Sequence, residues 1–273
     1  MTQDAGRYAL DRALMLDPLN EGETATWRAE VTTDYCNTPK AAFGGWINAL
    51  AVHAVMQHAD FRGVLQTMQT SFMGGVAAGS VTLKVSQLTK RARTDFWRVD
   101  FVQNDDVMVS VNLVCGLPRE SDLNTQITMP DAPSIEDSSP LAAAPPLAPL
   151  WMGKYRQWLA KGQLFSVNPT PESWSWIAEA DERPLDIKGL VAMVDVPMPR
   201  TFFAANELRM GSSIQMQNHI TATPEQIAAC GSQPIFLRVD SASIALSQYD
   251  QRVEAWSADG QLLMVSNQMA THR

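Results

Sequence analysis

A single acidic residue, Asp195, stands inside the otherwise apolar run LVAMVDVPM. A carboxylate among apolar side chains is costly unless it is paired or has a use. Loss of water around it would raise its pKa toward neutrality, which suits a general base that activates a water molecule. The alternative is that Asp195 caps a turn or faces water near Pro197, and the run by itself favours this alternative.

Two adjacent glycines, Gly44 and Gly45, open the run FGGWINALAVHAVMQHA at residues 43–59. The first N–H groups of a helix lack intrahelical partners and carry partial positive charge, and glycine lets a ligand approach the backbone closely. The pair can therefore form an oxyanion hole for a carbonyl oxygen that becomes negative. The sequence supports equally that the glycines only let the helix pack closely against its neighbours.

The densest basic run is Lys90-Arg91-Ala92-Arg93, in a chain of formal charge −8 and pI near 5.0. Such a run can bind phosphates, although it is also typical of a solvated turn. The acidic balance argues against nucleic acid or an anionic membrane as the main partner, since both require a cationic surface.

Other reactive residue types show no spacing that indicates a site. The histidines have no metal-ligand spacing, so we expect no metal ion; they are His53, His58, His219 and His272. The sequence contains no GxSxG, P-loop or GxGxxG motif. The cysteines are few and widely spaced, and we expect buried free thiols; they are Cys36, Cys115 and Cys230.

The elements that must position these residues are strand-like runs around one apolar helix. Residues 8–16 and 24–35 look like two strands separated by turn formers at 17–22. Four strand-like runs follow the helix: GVLQTMQTSFM, GSVTLKVSQLTK, DFWRVDFVQN and VMVSVNLVCGL. A helix that is apolar on nearly every side is best enclosed by an antiparallel sheet that curls around it.

The second half of the chain repeats this order. Two strand-like runs precede a second apolar helix candidate at 185–204, and four more follow it: SSIQMQNHITA, PIFLRVDSASIAL, QRVEAWSA and QLLMVSNQMATHR. Such a repeat favours a duplicated domain. We therefore predict an N-terminal domain at 1–119, a Pro/Ala-rich linker at 120–150 and a C-terminal domain at 151–273.

At the residue level the chain resembles the acyl-CoA thioesterase II-like family in both halves. The matching N-terminal pieces are Phe43-Gly44-Gly45, Ser71-Phe72, Gly79-x-Val81-x-Leu83-x-Val85 and Lys90-Arg91-Ala92-Arg93. The C-terminal pieces are Asp195, Ser213, Tyr249-Asp250, Glu254-Ala255-Trp256, Asp259-Gly260 and Gln268. The sequence departs from the family at Met73-Gly74-Gly75, where a basic residue and a proline are frequent, and at Ala92, where glycine is usual. The resemblance implies an α+β double hotdog, in which two tandem antiparallel sheets each wrap around one long hydrophobic helix.

The resemblance also implies an active site made of Asp195, Ser213 and Gln268, with Gly44 and Gly45 facing Asp195 across the interface of the two hotdogs. Ser212 competes with Ser213, because a shift of one residue would exchange the face on which each lies. The implied role of Lys90, Arg91 and Arg93 is contact with CoA phosphates.

The function that this resemblance implies is hydrolysis of an acyl-CoA by an activated water, with no cofactor beyond the CoA thioester itself. The alternatives are a double hotdog that binds acyl-CoA or a lipid-like ligand without cleaving it, and a hotdog enoyl-CoA hydratase. With neither a signal-peptide pattern nor a long apolar span in the sequence, we expect a cytoplasmic protein without a membrane partner. A homodimer is a further expectation, because sheet edges in this fold often pair.

Overall fold

The computed structural model describes residues 6–21, 24–38, 40–119, 121–141 and 148–273. The helices are α1 (Ala9–Ala13), α2 (Gly44–Met56), α3 (Ile187–Met193) and α4 (Pro224–Ala229). The strands of the N-terminal half are β1 (Asp17–Asn20), β2 (Thr24–Val31), β3 (Cys36–Thr38), β4 (Ala41–Ala42), β5 (Val64–Phe72), β6 (Gly79–Lys90), β7 (Thr94–Gln103) and β8 (Asp106–Gly116). Those that follow are β9 (Ser139–Pro140), β10 (Tyr155–Lys161), β11 (Ser173–Glu179), β12 (Gly211–Ile220), β13 (Ile235–Asp240), β14 (Ile244–Ala245), β15 (Gln248–Trp256) and β16 (Leu262–His272).

The main sheet has the strand order β1-β2-β6-β7-β8-β5-β12-β16-β15-β13-β11-β10-β9, and its neighbours pair antiparallel. The two halves meet in the middle, where β5 pairs with β12 and Gln215 lies opposite Ser71. Each half places its central hairpins in the same order outward from this seam. The duplicated α+β double hotdog predicted from the sequence is therefore confirmed.

Helix α2 lies inside its own sheet and against α3. Every residue from position 44 to 52 is buried, which requires apolar partners on all sides of the helix. One partner is the inner face of β6, where Val81, Leu83 and Val85 are buried while Lys84 between them is exposed. The helix thus has no polar, solvent-exposed face because the sheet encloses it.

Two local predictions in the N-terminal half are wrong. Residues 8–16 contain helix α1 rather than a strand, because Leu10 and Leu14 are four positions apart and a helix buries both. The predicted turn at 17–22 contains strand β1, which pairs with the edge of β2 and places Asp17 3.0 Å from Arg28. Gly22 lies outside the described residues.

The second helix is shorter than predicted. Helix α3 ends at Met193, so Asp195 lies in the turn after the helix and not within it. Pro197 explains the early end, because proline lacks an N–H and disfavours helical backbone before it. Helix α4, which the sequence reading missed, begins with a capping box between Thr223 and Gln226.

The predicted linker at 120–150 is largely irregular where it is described, and Glu120 and residues 142–147 lie outside the described part. Strand β9 pairs with β10. Met129, Ala132 and Ile135 pack against an apolar cluster on the C-terminal half, formed by Trp176, Phe236, Trp256 and Leu262. This segment therefore covers part of the C-terminal sheet, and the domain boundaries stay a prediction.

The three cysteines are buried and unpaired with one another, as expected. Among the helices of the described ranges, none is both long enough and apolar enough to cross a membrane.

Candidate active site

Asp195 faces the N-terminus of α2 from the turn that follows α3. A Cβ atom placed on Gly44 would lie 2.6 Å from Oδ2 of Asp195 and 3.2 Å from the ring of Phe72. The nearer contact, with the carboxylate, is too short for a real Cβ atom, and the contact with the Phe72 ring is tight. Position 44 is therefore glycine because the carboxylate approaches the helix backbone at this point.

Gly45 allows close packing of the two helices and also supplies a hydrogen-bond donor. A Cβ atom at this position would collide with the carbonyl oxygen of Ala192 in α3 and with the ring of Phe43, so glycine lets the two helices approach each other. The backbone N–H of Gly45 also donates to the Asp195 carboxylate. Within the described residues, by contrast, the N–H of Gly44 has no protein acceptor. The close-packing interpretation is thus supported at Gly45, and the oxyanion-hole interpretation of the pair stays a prediction.

Gln268 joins the other candidate residues on strand β16. Its Nε2 donates to Oδ1 of Asp195 at 3.2 Å and lies 2.5 Å from Oγ of Ser213. The Gln268 side chain is buried, whereas Asp195 and Ser213 are both partly exposed. The structure therefore brings together the three residues named by the resemblance, at a place that solvent reaches.

A β-bulge decides which serine joins the site. The register of β12 against β16 shifts between Ser213 and Gln215, so that Ile214 is an extra residue. Ser213 then lies opposite Ala270, on the face of β16 that also carries Gln268. Without the bulge the alternation of the strand would place Ser212 on that face. Ser212 is instead exposed, so Ser213 is the serine that contacts Gln268.

A chain of buried polar groups orients Gln268, and no motif in the sequence indicated this chain. The guanidinium of Arg200 donates to Oε1 of Gln251 at 3.0 Å, and Nε2 of Gln251 donates to Oε1 of Gln268 at 3.2 Å. Because the guanidinium can only donate, each amide in turn must present its oxygen to one neighbour and its nitrogen to the next. The nitrogen of Gln268 therefore points at Asp195 and Ser213.

Arg200 is itself held by the surrounding structure and is fully buried. Its guanidinium also donates to the carbonyl oxygens of Pro171 and Met198 at 2.8 and 2.6 Å, and to Oγ of Ser173 at 2.9 Å. Burial lowers its pKa to about 9, so the group remains charged at neutral pH.

The surroundings of Asp195 raise its pKa to about 7. The main cause is loss of solvation among apolar neighbours, and it outweighs the hydrogen bonds from Gln268 and from the Gly45 amide, which lower the pKa. A carboxylate with a pKa near neutrality can accept a proton from water during a reaction and release it afterwards.

The predicted CoA-contacting residues lie elsewhere. The turn between β6 and β7 carries Lys90, Arg91 and Arg93, and Lys90 lies 3.4 Å from Asp60, just beyond the C-terminal end of α2. Asp195 lies at the N-terminal end of that helix, which spans 13 residues or about 20 Å. The structure therefore does not join the basic turn to the Asp195 site, and its contact with CoA stays a prediction.

Comparison with protein families identifies both halves of the chain. The family model of the acyl-CoA thioesterase C-terminal domain matches residues 130–271, and that of the N-terminal domain matches residues 24–116. The chain belongs to the acyl-CoA thioesterase II-like family. The resemblance found in the sequence is thereby confirmed for this thioesterase-family protein.

Solved structures share the fold of this thioesterase-family protein over nearly its whole length. A hot dog fold protein of unknown function from Alicyclobacillus acidocaldarius is 24% identical, with a TM-score of 0.90 and coverage of 97% of this chain and 98% of the other. The acyl-CoA thioesterase II TesB2 of Mycobacterium marinum is 16% identical, with a TM-score of 0.76 and coverage of 97% and 98%. At these identities the likeness establishes the fold alone. No curated protein gives a significant match.

The histidines of this thioesterase-family protein form no cluster with other ligand types. Across the described ranges, no group of three or more His, Cys, Asp or Glu side chains is arranged to hold a metal ion. His53 lies on α2, where burial lowers its pKa to about 4.

Proposed function

We propose that the protein is an acyl-CoA thioesterase that hydrolyses its substrate to a free acid and CoA by direct attack of water. The observation that carries this proposal is the contact of Gln268 with both Asp195 and Ser213, opposite the N-terminus of α2. Membership of the family supports the same reaction class.

In the proposed reaction, Asp195 accepts a proton from a water molecule that Ser213 and Gln268 hold in place. The oxygen of this water bonds to the thioester carbonyl carbon, and the carbonyl oxygen becomes negative. The N–H of Gly44 donates to that oxygen, while Gly45 keeps Asp195 in place. The carbonyl then re-forms as the carbon–sulfur bond breaks, and the proton passes from Asp195 to the CoA sulfur.

The relay from Arg200 through Gln251 determines the direction in which the Gln268 side chain donates its hydrogen bonds. It directs the N–H groups of Gln268 toward Asp195 and Ser213, so the Ser213 oxygen accepts from Gln268 and can donate its own proton elsewhere. Neither Ser213 nor Gln268 needs to form a covalent intermediate.

The test is a panel of acyl-CoAs of different chain types, assayed for release of the free CoA thiol. We expect turnover of at least one member and a loss of about a hundredfold or more in Asp195→Asn, since removal of a general base has an effect of this size. The exposed Asp122→Asn is the matched control and is expected to keep full activity.

Full activity in Asp195→Asn would overturn the proposal. So would the absence of thiol release from every acyl-CoA of the panel. Tight binding of acyl-CoAs without thiol release would favour a non-catalytic binding protein. Addition of water to an enoyl-CoA without free thiol would favour a hydratase.

A further inference from the structure

A cavity lies at the opposite end of the helix pair from Asp195. It has a volume of about 280 Å³ and is enclosed by the C-terminal end of α2, the N-terminal end of α3 and helix α4. Its walls are mainly apolar, and they include Val52, Val55, Phe61, Cys115, Ile220 and Ala222. Asp186 is an acidic residue of the wall, and its charge is compensated by Arg183 at 2.8 Å.

Packed side chains separate this cavity from the Asp195 site. Strand β5 runs from Val64 in the cavity wall to Phe72 beside Gly44. Between these ends, Met68 on β5 and its neighbour Asn218 on β12 are buried at 1% and 0% exposure. The residues that line the cavity include neither Asp195 nor Ser213 nor Gln268, so the cavity does not extend to the Asp195 site.

The duplication of the fold places the two spaces at equivalent positions. The Asp195 site lies between the start of α2 and the end of α3, and the cavity lies between the start of α3 and the end of α2. Ile47 and Ile187 are 140 positions apart, and this offset puts Val55 in the place of Asp195. The cavity thus occupies the corresponding place in the other half, with Val55 instead of a carboxylate at the position of Asp195, and the one acidic residue described in its wall, Asp186, is paired with Arg183.

The rim of the cavity connects directly to the basic turn. Arg62 stands between the wall residues Phe61 and Gly63, and its guanidinium binds Asp95 at 2.7 and 2.8 Å. The same guanidinium donates to the backbone carbonyl of Ala92 at 3.4 Å. Phe61 and Gly63 are partly exposed, so the turn that carries the densest positive charge in the sequence lies beside a solvent-facing part of the cavity wall, which we call its mouth.

The positive charges at this rim exceed the negative ones. Lys90 lies 3.4 Å from Asp60, with both side chains largely exposed. The guanidinium of Arg93 donates to the carbonyls of Leu117 and Pro118, which carry no formal charge. Arg91 is exposed and has no acidic partner within the described residues. An anionic group at the mouth would be attracted to this excess of charge.

We propose that this cavity binds the apolar chain of an anionic amphiphile, a fatty acid or the acyl chain of a CoA thioester, without cleaving it. An apolar cavity of about 150 Å³ in another protein holds benzene, so a volume of about 280 Å³ has room for about ten carbon atoms by proportion. The chain fills the apolar space and the anionic group lies at Arg91 and Arg93. The site does not depend on the proposed hydrolysis.

The test measures binding of three ten-carbon probes to the full chain by titration calorimetry: decanoic acid, the thioether S-decyl-CoA and neutral decan-1-ol. Ala222→Phe fills the cavity from its wall, and Ala242→Phe adds the same ring on an exposed loop as a control. Arg91→Glu reverses a charge at the rim. Lys84→Glu makes the same change about 20 Å away on β6 and is its control.

We expect an anionic probe to bind at a site that Ala222→Phe abolishes, while Ala242→Phe keeps it. Arg91→Glu should weaken that binding about fivefold or more, with little effect on decan-1-ol and none from Lys84→Glu. Crystals soaked with 10-bromodecanoic acid should show bromine between α2 and α4 when the free acid is the ligand. Binding of S-decyl-CoA alone would identify the CoA thioester as the source of the chain.

Thiol release from acyl-CoAs is measured on the same variants and should be unchanged in Ala222→Phe, because Ala222 lies outside the Asp195 site. Failure of the proposed hydrolysis would therefore leave the binding result intact. Equal affinity of both anionic probes for the wild type and Ala222→Phe would overturn the inference, as would no saturable binding of either. Should Ala222→Phe fail to fold, an unchanged affinity in Arg91→Glu would overturn it equally.

Discussion

At the scale of single residues, the chemistry depends on how the carboxylate of Asp195 is surrounded. It accepts hydrogen bonds from Gln268 and Gly45, which favour its charged form, yet burial dominates and raises its pKa to about 7. The same side chain in water would be fully ionised well below neutrality. The fold therefore gives an ordinary aspartate the proton affinity of a general base.

The first prediction concerns the pH dependence of hydrolysis. A general base acts in its deprotonated form, so kcat/KM should rise with pH through about 7 and level off above it. The measurement is a pH profile of kcat/KM with a preferred acyl-CoA. A profile that stays flat from pH 5 to pH 9 would contradict the role of Asp195 as base.

The same raised pKa predicts how stability depends on pH. Between the unfolded value near 4 and the folded value near 7, the native state binds more protons than the unfolded state, so stability falls as pH rises. Asp195→Asn removes this titration, and its Tm should exceed that of the wild type at pH 8 by more than at pH 5. Thermal unfolding at the two pH values measures the difference, and a gap of equal size at both would refute the prediction.

Gly44 supplies a further prediction at this scale. In Gly44→Ala the added Cβ would lie 2.6 Å from Oδ2 of Asp195, so the carboxylate must move away from the helix. We expect a loss of about a hundredfold in kcat, because catalysis is sensitive to displacements of about 1 Å. Gly153→Ala, where no atom lies within 4 Å of the new Cβ, should leave kcat unchanged. Equal activity of the two variants would argue against this geometry.

At the scale of elements, the site depends on details of strand pairing. The bulge in β12 turns Ser213 toward Gln268, and strand β15 places Gln251 beside Gln268. The early end of α3 lets the chain turn so that Asp195 faces α2. These four residues thus lie on different segments of the chain, and the contacts between the segments set the distances in the site.

The relay from Arg200 gives a prediction that belongs to this scale. Gln251→Glu keeps the shape of the side chain and its bond with Arg200, but it removes the N–H that Gln251 donates to Gln268. The amide of Gln268 is then free to turn its oxygen toward Asp195. In that orientation it would no longer position the attacking water of the proposed reaction. We expect kcat to fall about tenfold, the cost of roughly one hydrogen bond, with KM little changed.

The exposed Gln248→Glu, at the start of the same strand, is the matched control for this change of charge. A change in KM with kcat unchanged would show that Gln251 does not act through the orientation of Gln268. An equal effect of both variants would show the same.

At the scale of the whole molecule, enclosure of α2 links stability to function. The helix packs against α3 and against the inner faces of β6, β7 and β8, so its apolar side chains contribute to the core of the protein. The start of the same helix forms one wall of the site. The core that stabilises the fold therefore also holds one wall of the candidate active site in place.

Leu50 tests this contribution. It is fully buried in α2, and Leu50→Ala should lower the free energy of unfolding by about 2–5 kcal/mol through lost burial and a residual cavity. Leu88→Ala, at a side chain that is 54% exposed on β6, should change it by less than about 0.5 kcal/mol. Urea unfolding of both variants is the measurement, and similar midpoints for the two would contradict the enclosed helix.

The sequence by itself predicted a duplicated α+β fold, because apolar periodicity and the order of elements can be followed along the chain, and the family was indicated by the resemblance of its short motifs. The same motifs indicated Asp195, Gly44, Gln268 and a serine at position 212 or 213 as candidate site residues. Tertiary structure alone decided between Ser212 and Ser213, since a bulge is a property of the pairing of two strands. It alone revealed the relay through Gln251 and the cavity beside the basic turn, because residues far apart in sequence meet there only after the two sheets close around their helices.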